Sequence, residues 1–161
     1  MKLKLNDFLK LVVSVAVCQT VGIGGVFFAG PAVSSSWYLS LKQPPLNPPG
    51  WIFSPVWITL YFLMGAAAFL IWRAGWKRKK VKIALGVFAA QLFLNGLWSI
   101  IFFGGQNQSW ALADIVVLWL ALVWTIVVFY KISKSAAILL APYILWVSFA
   151  AYLNYAIWLL N

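Results

Sequence analysis

Hydrophobic residues fall into five long stretches separated by short polar breaks. The stretches cover approximately residues 11–29, 51–72, 83–103, 111–130 and 136–160. At about 1.5 Å per residue, each is long enough to cross a hydrocarbon core of about 30 Å as an α-helix. The pattern therefore predicts an all-α fold, an integral membrane bundle of five transmembrane helices that forms one domain over residues 1–161.

Basic residues are concentrated at one end of this predicted bundle. Eleven of the twelve precede the first span or flank the connections after the second and fourth spans, and only Lys42 lies on the other side. The positive-inside rule then predicts a multi-pass protein with its N-terminus inside and its C-terminus outside. The simple basic N-terminus favours a prokaryotic cytoplasmic membrane. The basic run at 77–82 also attracts anionic membrane lipid, so the net charge of +10 implies no nucleic-acid partner.

The first span could instead be a secretory signal peptide, because basic residues precede it. However, its apolar stretch is longer than the usual 7–15 residues, and small residues after it are poor evidence for cleavage. We expect the span to be retained.

The longest connection, residues 30–50, lies on the predicted outer side and is called the proline-rich loop below. It holds five of the seven prolines. Proline fixes its own φ and restricts the preceding residue, so we expect a stiff, extended loop. Trp37 and Tyr38 give it apolar anchors. The loop is interpreted either as a lid over the bundle or as an ordinary interfacial connector.

Tryptophan is unusually frequent, with eleven in the chain, and histidine is absent. The missing histidine removes the commonest metal ligand and general base, and a single cysteine cannot form a thiolate cluster. We therefore predict no catalytic acid–base residue and no metal site. The composition favours binding of an apolar, ring-shaped partner.

Polar and aromatic side chains recur at helical spacing within the spans. Polar groups inside a membrane bundle are costly unless they are satisfied, so each calls for a partner or a role. Gln91 and Asn95 are four residues apart and share a face of the third span. We predict that such residues line one pocket with flat aromatic walls and neutral hydrogen-bonding groups, suited to a large planar ligand. The set is Trp57, Tyr61, Gln91, Asn95, Trp98, Trp146, Ala150 and Asn154.

Structural roles are the alternative for these residues. Asn and Gln often bridge membrane helices by hydrogen bonds, and tryptophans often form interfacial belts, as we expect for Trp72, Trp76 and Trp110. Asp114 is interpreted as a helix-start charge near the interface. Gly86 and Ala90 form a small-xxx-small pair on the third span and predict a homodimer face.

Four segments resemble the tryptophan-rich sensory protein/translocator protein (TspO/MBR) family. They are WYLSLKQPPLNPPGW at 37–51, the Pro55-x-Trp57 step, Gln91-x-x-x-Asn95-x-x-Trp98, and PYILWVSFAAYLNY at 142–155. The resemblance implies a five-helix membrane protein, often dimeric, that binds porphyrins such as protoporphyrin IX or haem. By motif position, Trp37, Tyr38 and Pro48 would belong to the lid. The pocket would be lined by Trp57, Tyr61, Asn95, Trp98, Trp146 and Ala150.

The resemblance leaves the role of such binding open. The expected role is porphyrin transport, sensing or stress regulation, with light- or oxygen-dependent porphyrin degradation as an enzyme-like alternative. A lipid or sterol carrier is a further alternative, but no Lys or Arg follows Tyr152 and Tyr155, as sterol-associated patterns require. No cofactor is obligatory. Without histidine, a metal-free porphyrin is a more natural partner than haem.

Overall fold

The computed structural model describes residues 5–161; Lys2 and Lys4 of the predicted basic N-terminus lie outside them. Within this range the chain is helical, with no strand. Five helical segments are long and apolar enough to cross a membrane. The predicted all-α membrane bundle is confirmed.

Seven α-helices make up the described part of the chain. They are α1 (Leu5–Ala32), α2 (Ser36–Ser40), α3 (Phe53–Arg73), α4 (Lys79–Ser99), α5 (Gln108–Tyr130), α6 (Lys134–Leu139) and α7 (Ala141–Leu160). A 3-10 turn at Gly50–Ile52 leads into α3, and a π-helical turn at Ile100–Gly104 continues α4. The five spans are therefore α1, α3, α4 with its π turn, α5, and α6 with α7.

The spans form a closed ring. α1 packs against α3 and α4, α4 against α5, α5 against α7, and α3 against both α6 and α7. One end of the ring, called the basic end, carries residues 74–78 and 131–133. The opposite loop end carries the proline-rich loop, residues 105–107 and Asn161. This arrangement brings the second, third and fifth spans, which carry the predicted pocket residues, around one interior.

The fifth span is broken at Leu140. α6 ends at Leu139 and α7 begins at Ala141, with Pro142 in its first turn. Proline has no N–H to donate, and the first turn of a helix is where that donor has no intrahelical partner. Pro142 is therefore accommodated by a restart of the helix within the fifth span.

The prediction that the proline-rich loop is extended is wrong for much of its length. α1 continues through Pro31 to Ala32, and residues 36–40 form α2. Ser35 caps α2, because its Oγ accepts a hydrogen bond from the Tyr38 N–H at 3.2 Å. Four of the five loop prolines follow this helix, and the longest stretch without regular helix is 41–49.

Candidate functional site

Four polar side chains meet inside the bundle, and we call them the interior polar cluster: Tyr61, Gln91, Asn95 and Tyr143. All four are buried, Gln91 and Tyr143 completely. The Tyr61 hydroxyl donates a hydrogen bond to Asn95 Oδ1. The Tyr143 hydroxyl donates to Gln91 Oε1 at 3.0 Å. The cluster therefore ties the second and fifth spans to the third without any charged group.

Tyr143 is the member of this cluster that the sequence analysis missed. It is the largest fully buried side chain in the bundle. The sequence contains one indication of this position: Tyr143 precedes Trp146 by three residues, so both lie on the same face of α7, one turn apart. A tyrosine hydroxyl buried in a membrane helix also requires a partner, and Gln91 supplies it.

Trp57 forms an aromatic wall beside the interior polar cluster. Its ring lies 5.5 Å from that of Tyr61, tilted by 30°, and 6.3 Å from that of Tyr143, nearly edge-on at 67°. Trp57 is only partly buried. Its contacts bring it next to two hydroxyl-bearing rings, so this part of the bundle combines flat apolar surface with neutral hydrogen-bonding groups.

Trp146 forms a second wall on α7. Its ring is 5.9 Å from that of Phe53, another aromatic that the sequence analysis did not single out. The Trp146 Nε1 is buried and has no hydrogen-bond partner among residues 5–161, and the same is true of Gln91 Nε2. Two buried N–H donors are thus left available to an acceptor.

Trp98 and Asn154 are directly bonded near the loop end. Trp98 Nε1 donates to Asn154 Oδ1 at 2.9 Å, and Asn154 Nδ2 donates to the Gln108 carbonyl at 3.1 Å. Asn154 thereby joins the third, fourth and fifth spans. Ala150 lies one turn before Asn154 and is partly buried, a small side chain between two larger ones.

The proline-rich loop packs on the bundle through its aromatic side chains. The Trp37 ring lies 5.7 Å from that of Phe102, and the Tyr38 ring lies 6.0 Å from that of Phe103. Phe102 in turn stacks on Trp98 at 5.0 Å. A continuous chain of ring contacts therefore runs from α2 through the π turn to Trp98.

The remainder of the loop is also anchored. Leu41 is buried against Phe102 and Ile157, and Pro48 is partly buried. Burial raises the pKa of the Tyr38 hydroxyl above its ordinary value, and the neighbouring Asn47 and Gln43 side chains partly offset that rise. These contacts show that the loop is packed on the bundle; its role as a lid stays a prediction.

Asp114 departs from its interpretation as an interfacial charge. It is only 8% exposed, and its Oδ2 has no hydrogen-bond partner within residues 5–161. The reason is that α5 begins at Gln108, so Asp114 lies in the second helical turn and faces the interior. Trp76 and Trp110, by contrast, are exposed, as interfacial residues would be, whereas Trp72 is partly buried and its ring lies 6.2 Å from that of Trp76.

The pocket residues meet as separate groups in the structure. The loop aromatics reach Trp98 only through Phe102 and Phe103. Trp57 instead packs beside Tyr61 and Tyr143, and Trp146 beside Phe53. Two cavities open elsewhere: about 530 Å³ at the basic end and about 480 Å³ beside Ser109 and Trp158. A single pocket shared by all the predicted residues stays a prediction.

Gly86 and Ala90, the predicted homodimer pair, are exposed, on a face of α4 away from buried Gln91 and Asn95.

Comparison with known proteins agrees with this architecture. The model of the TspO/MBR family matches residues 14–159. The tryptophan-rich protein TspO of Chlorobaculum tepidum is 44% identical over 97% of this chain and 98% of its own length. The protein of the same name from Archaeoglobus fulgidus is 44% identical over 96% and 99%. The human translocator protein is 39% identical over 84% of this chain and 80% of its own.

The family match runs from within the first span to the end of the fifth and includes the proline-rich loop. The two proteins named TspO align along almost their whole length. Several residues that carry the sequence resemblance, among them Trp57, Gln91 and Asn95, also take part in the hydrogen bonds and ring contacts described above. This multi-pass integral membrane protein belongs to the TspO/MBR family.

Proposed function

We propose that this protein binds a planar tetrapyrrole, protoporphyrin IX or haem, against the tryptophan faces of its bundle and beneath the proline-rich loop. The observation that carries the proposal is the pair of unpartnered buried donors, Gln91 Nε2 and Trp146 Nε1, beside aromatic walls. A porphyrin offers a flat apolar ring that stacks on indole faces, and its propionates are hydrogen-bond acceptors.

The donor set favours the metal-free ring over haem. Haem iron needs an axial ligand, most often histidine, which the chain lacks. Cys18 is buried in the apolar core, and the Tyr61 and Tyr143 hydroxyls already donate to Asn95 and Gln91. Haem would therefore be held through its ring face and propionates.

Quenching of tryptophan fluorescence by protoporphyrin IX tests this proposal. We expect saturable quenching by the purified protein, and about three- to tenfold weaker binding for Trp57→Ala and for Trp146→Ala, because each loses one stacking surface. Trp124→Ala is the matched control, since it removes an exposed indole from the bundle surface. Quenching that never saturates and is equal in all variants would overturn the proposal.

The cellular role that follows is porphyrin transport, sensing or stress regulation. Illumination of the same complex in air separates this role from porphyrin degradation. Recovery of unaltered porphyrin supports a binding role. A defined oxidation product that is lost in Trp57→Ala would show that the protein degrades its ligand.

The proposed orientation places the basic end in the cytoplasm of a prokaryotic cell, because basic residues are retained on that side. In a Cys18→Ala background, Gln106→Cys at the loop end and Lys77→Cys at the basic end can each be probed on intact cells. A membrane-impermeant maleimide should label Gln106→Cys only. Labelling of Lys77→Cys only would reverse the orientation.

We also propose that the protein forms a homodimer through the α4 face that carries Gly86 and Ala90. A Cβ at Gly86 would meet nothing within 4 Å, so this face is open to a second helix. In a Cys18→Ala background, Ala90→Cys should crosslink as a dimer under oxidation. Ile138→Cys, exposed on another face, should not. Equal crosslinking at both positions would contradict this interface.

A further inference from the structure

A cavity of about 530 Å³ lies at the basic end, remote from the aromatic site. Two segments some fifty residues apart in sequence form it: the start of α4 and the connection after α5. Four of its six lining residues are cationic. The lining residues are Arg78, Lys79, Lys80, Val81, Lys131 and Ile132.

The protein supplies no negative charge to this cavity. Asp7 and Asp114 are the only acidic residues in the sequence. Asp7 pairs with Lys10, with the Lys10 Nζ 3.7 Å from Asp7 Oδ1. Asp114 is seventeen residues from Lys131, about 25 Å along the helix. Four like charges that share a cavity repel one another, so binding of an anion there is favoured.

We expect the cavity to lie at the depth of lipid headgroups. Trp76 and Tyr130, both exposed aromatic residues, mark the membrane interface at the basic end. The Lys134 ammonium group lies over the Tyr130 ring, 5.7 Å from its centre, and does not line the cavity.

Apolar side chains continue from the cavity toward the membrane interior. Ile83 is one helical turn from Lys79 on α4, and Val127 is one turn from Lys131 on α5, so each shares a face with a cavity cation. Both are exposed: 48% for Ile83 and 45% for Val127. The surface thus presents cations at headgroup level and apolar contacts where acyl chains lie.

We infer that this cavity binds the phosphate headgroup of an acidic phospholipid, such as phosphatidylglycerol, from the leaflet at the basic end. A zwitterionic headgroup also carries a phosphate, but its ammonium group would face the same four cations. The site is more specific than general attraction of anionic lipid to a basic loop, because it requires Lys131 as well as the α4 residues. It is independent of tetrapyrrole binding.

Native mass spectrometry of the detergent-solubilised protein, titrated with dioleoylphosphatidylglycerol, tests the site. We expect one tightly bound lipid per chain, and weaker binding of dioleoylphosphatidylcholine. Lys80→Gln/Lys131→Gln removes two cavity cations and should weaken phosphatidylglycerol binding about 25-fold, about fivefold for each side chain. Lys77→Gln/Lys134→Gln is the matched control, because it removes the same charge beside the cavity and should leave binding nearly unchanged.

Three results would overturn the inference. Equal weakening by both double variants would show that binding depends on diffuse surface charge. Equal affinity for phosphatidylcholine would show that the anionic headgroup is not recognised. Saturable binding of inorganic phosphate that depends on Lys80 and Lys131, with no more phosphatidylglycerol bound by the wild type than by Lys80→Gln/Lys131→Gln, would assign the cavity to free phosphate. All four replaced lysines are exposed, so the fold should be retained in both variants.

Discussion

Asn161 holds the backbone of Lys42 with two hydrogen bonds across 119 residues of sequence. Its Oδ1 accepts from the Lys42 N–H at 2.9 Å, and its Nδ2 donates to the Lys42 carbonyl at 3.2 Å. The same Nδ2 also donates to the Ile157 carbonyl at 2.8 Å. Because Asn161 directly follows α7, the position of the proline-rich loop is tied to the end of the fifth span.

Asn161→Ala should loosen the loop without unfolding the bundle. Loss of these exposed bonds should cost about 1 kcal/mol or less, since water replaces much of what is removed. Hydrogen exchange followed by mass spectrometry should show faster exchange in the segment around Lys42. Leu160→Ala, at an exposed neighbouring position, is the control. Unchanged exchange in Asn161→Ala would mean that ring contacts alone hold the loop.

Tyr143→Phe should destabilise the bundle, because it leaves the buried Gln91 side chain with no partner for Oε1 or Nε2. Interhelical hydrogen bonds in membranes average about 0.6 kcal/mol and reach about 1.7. We expect a loss near the upper value, since Gln91 is completely buried. Denaturant unfolding in detergent, monitored by circular dichroism, measures the difference in unfolding free energy between Tyr143→Phe and the wild type.

A double-mutant cycle separates the hydrogen bond from packing. Gln91→Leu removes the orphaned amide, so Gln91→Leu/Tyr143→Phe should be less destabilised than the sum of the single variants. Strict additivity would show that the Tyr143 hydroxyl and Gln91 do not interact.

Local periodicity in the sequence was sufficient to predict the spans and the shared face of Gln91 and Asn95. Membrane helices need long apolar stretches, and residues four apart must lie on one side of a helix. Both constraints act within about twenty-five residues, so they can be read without knowing which helices are neighbours.

Features that depend on distant partners could not be predicted in this way. The Tyr143 bond to Gln91 and the approach of Lys131 to Arg78 require the order of spans in the ring. The short helix α2 begins at the Ser35 cap and lies before four of the five prolines from which an extended loop was predicted. Asp114 was interpreted as a charge at the start of its helix, but α5 begins three residues before the predicted span, which places Asp114 in the second helical turn.

Alkaline pH should weaken the attachment of the proline-rich loop through Tyr38. Burial raises the pKa of this hydroxyl in the folded protein above its usual value of about 10, so the folded state holds the proton more tightly than the unfolded state. The Tyr38 hydroxyl therefore contributes fully to the free energy of unfolding below about pH 10, the pKa of an unfolded tyrosine. This contribution is lost as the pH rises through the higher pKa of the folded state.

The measurement is unfolding free energy of the wild type and Tyr38→Phe at about pH 9 and about pH 11, below and above the ordinary tyrosine pKa. The wild type should lose more stability between the two values than Tyr38→Phe. Tyr130→Phe, at an exposed tyrosine of the basic end, should behave like the wild type. Equal losses in wild type and Tyr38→Phe would contradict the prediction.

Gly65→Ala should disrupt the contact between the first two spans. A Cβ at this buried position on α3 would lie 2.5 Å from the Val15 Cα, and backbone at that distance cannot yield without separation of α1 from α3. We expect a loss of about 1–3 kcal/mol in the free energy of unfolding, typical of overpacking.

Gly24→Ala on α1 is the matched control, because its Cβ would meet nothing within 4 Å. Alanine there should be neutral or stabilising by up to about 1 kcal/mol through its higher helix propensity. Thermal unfolding in one detergent compares the two directly, and equal stability of both variants would show that α1 and α3 do not pack at glycine distance.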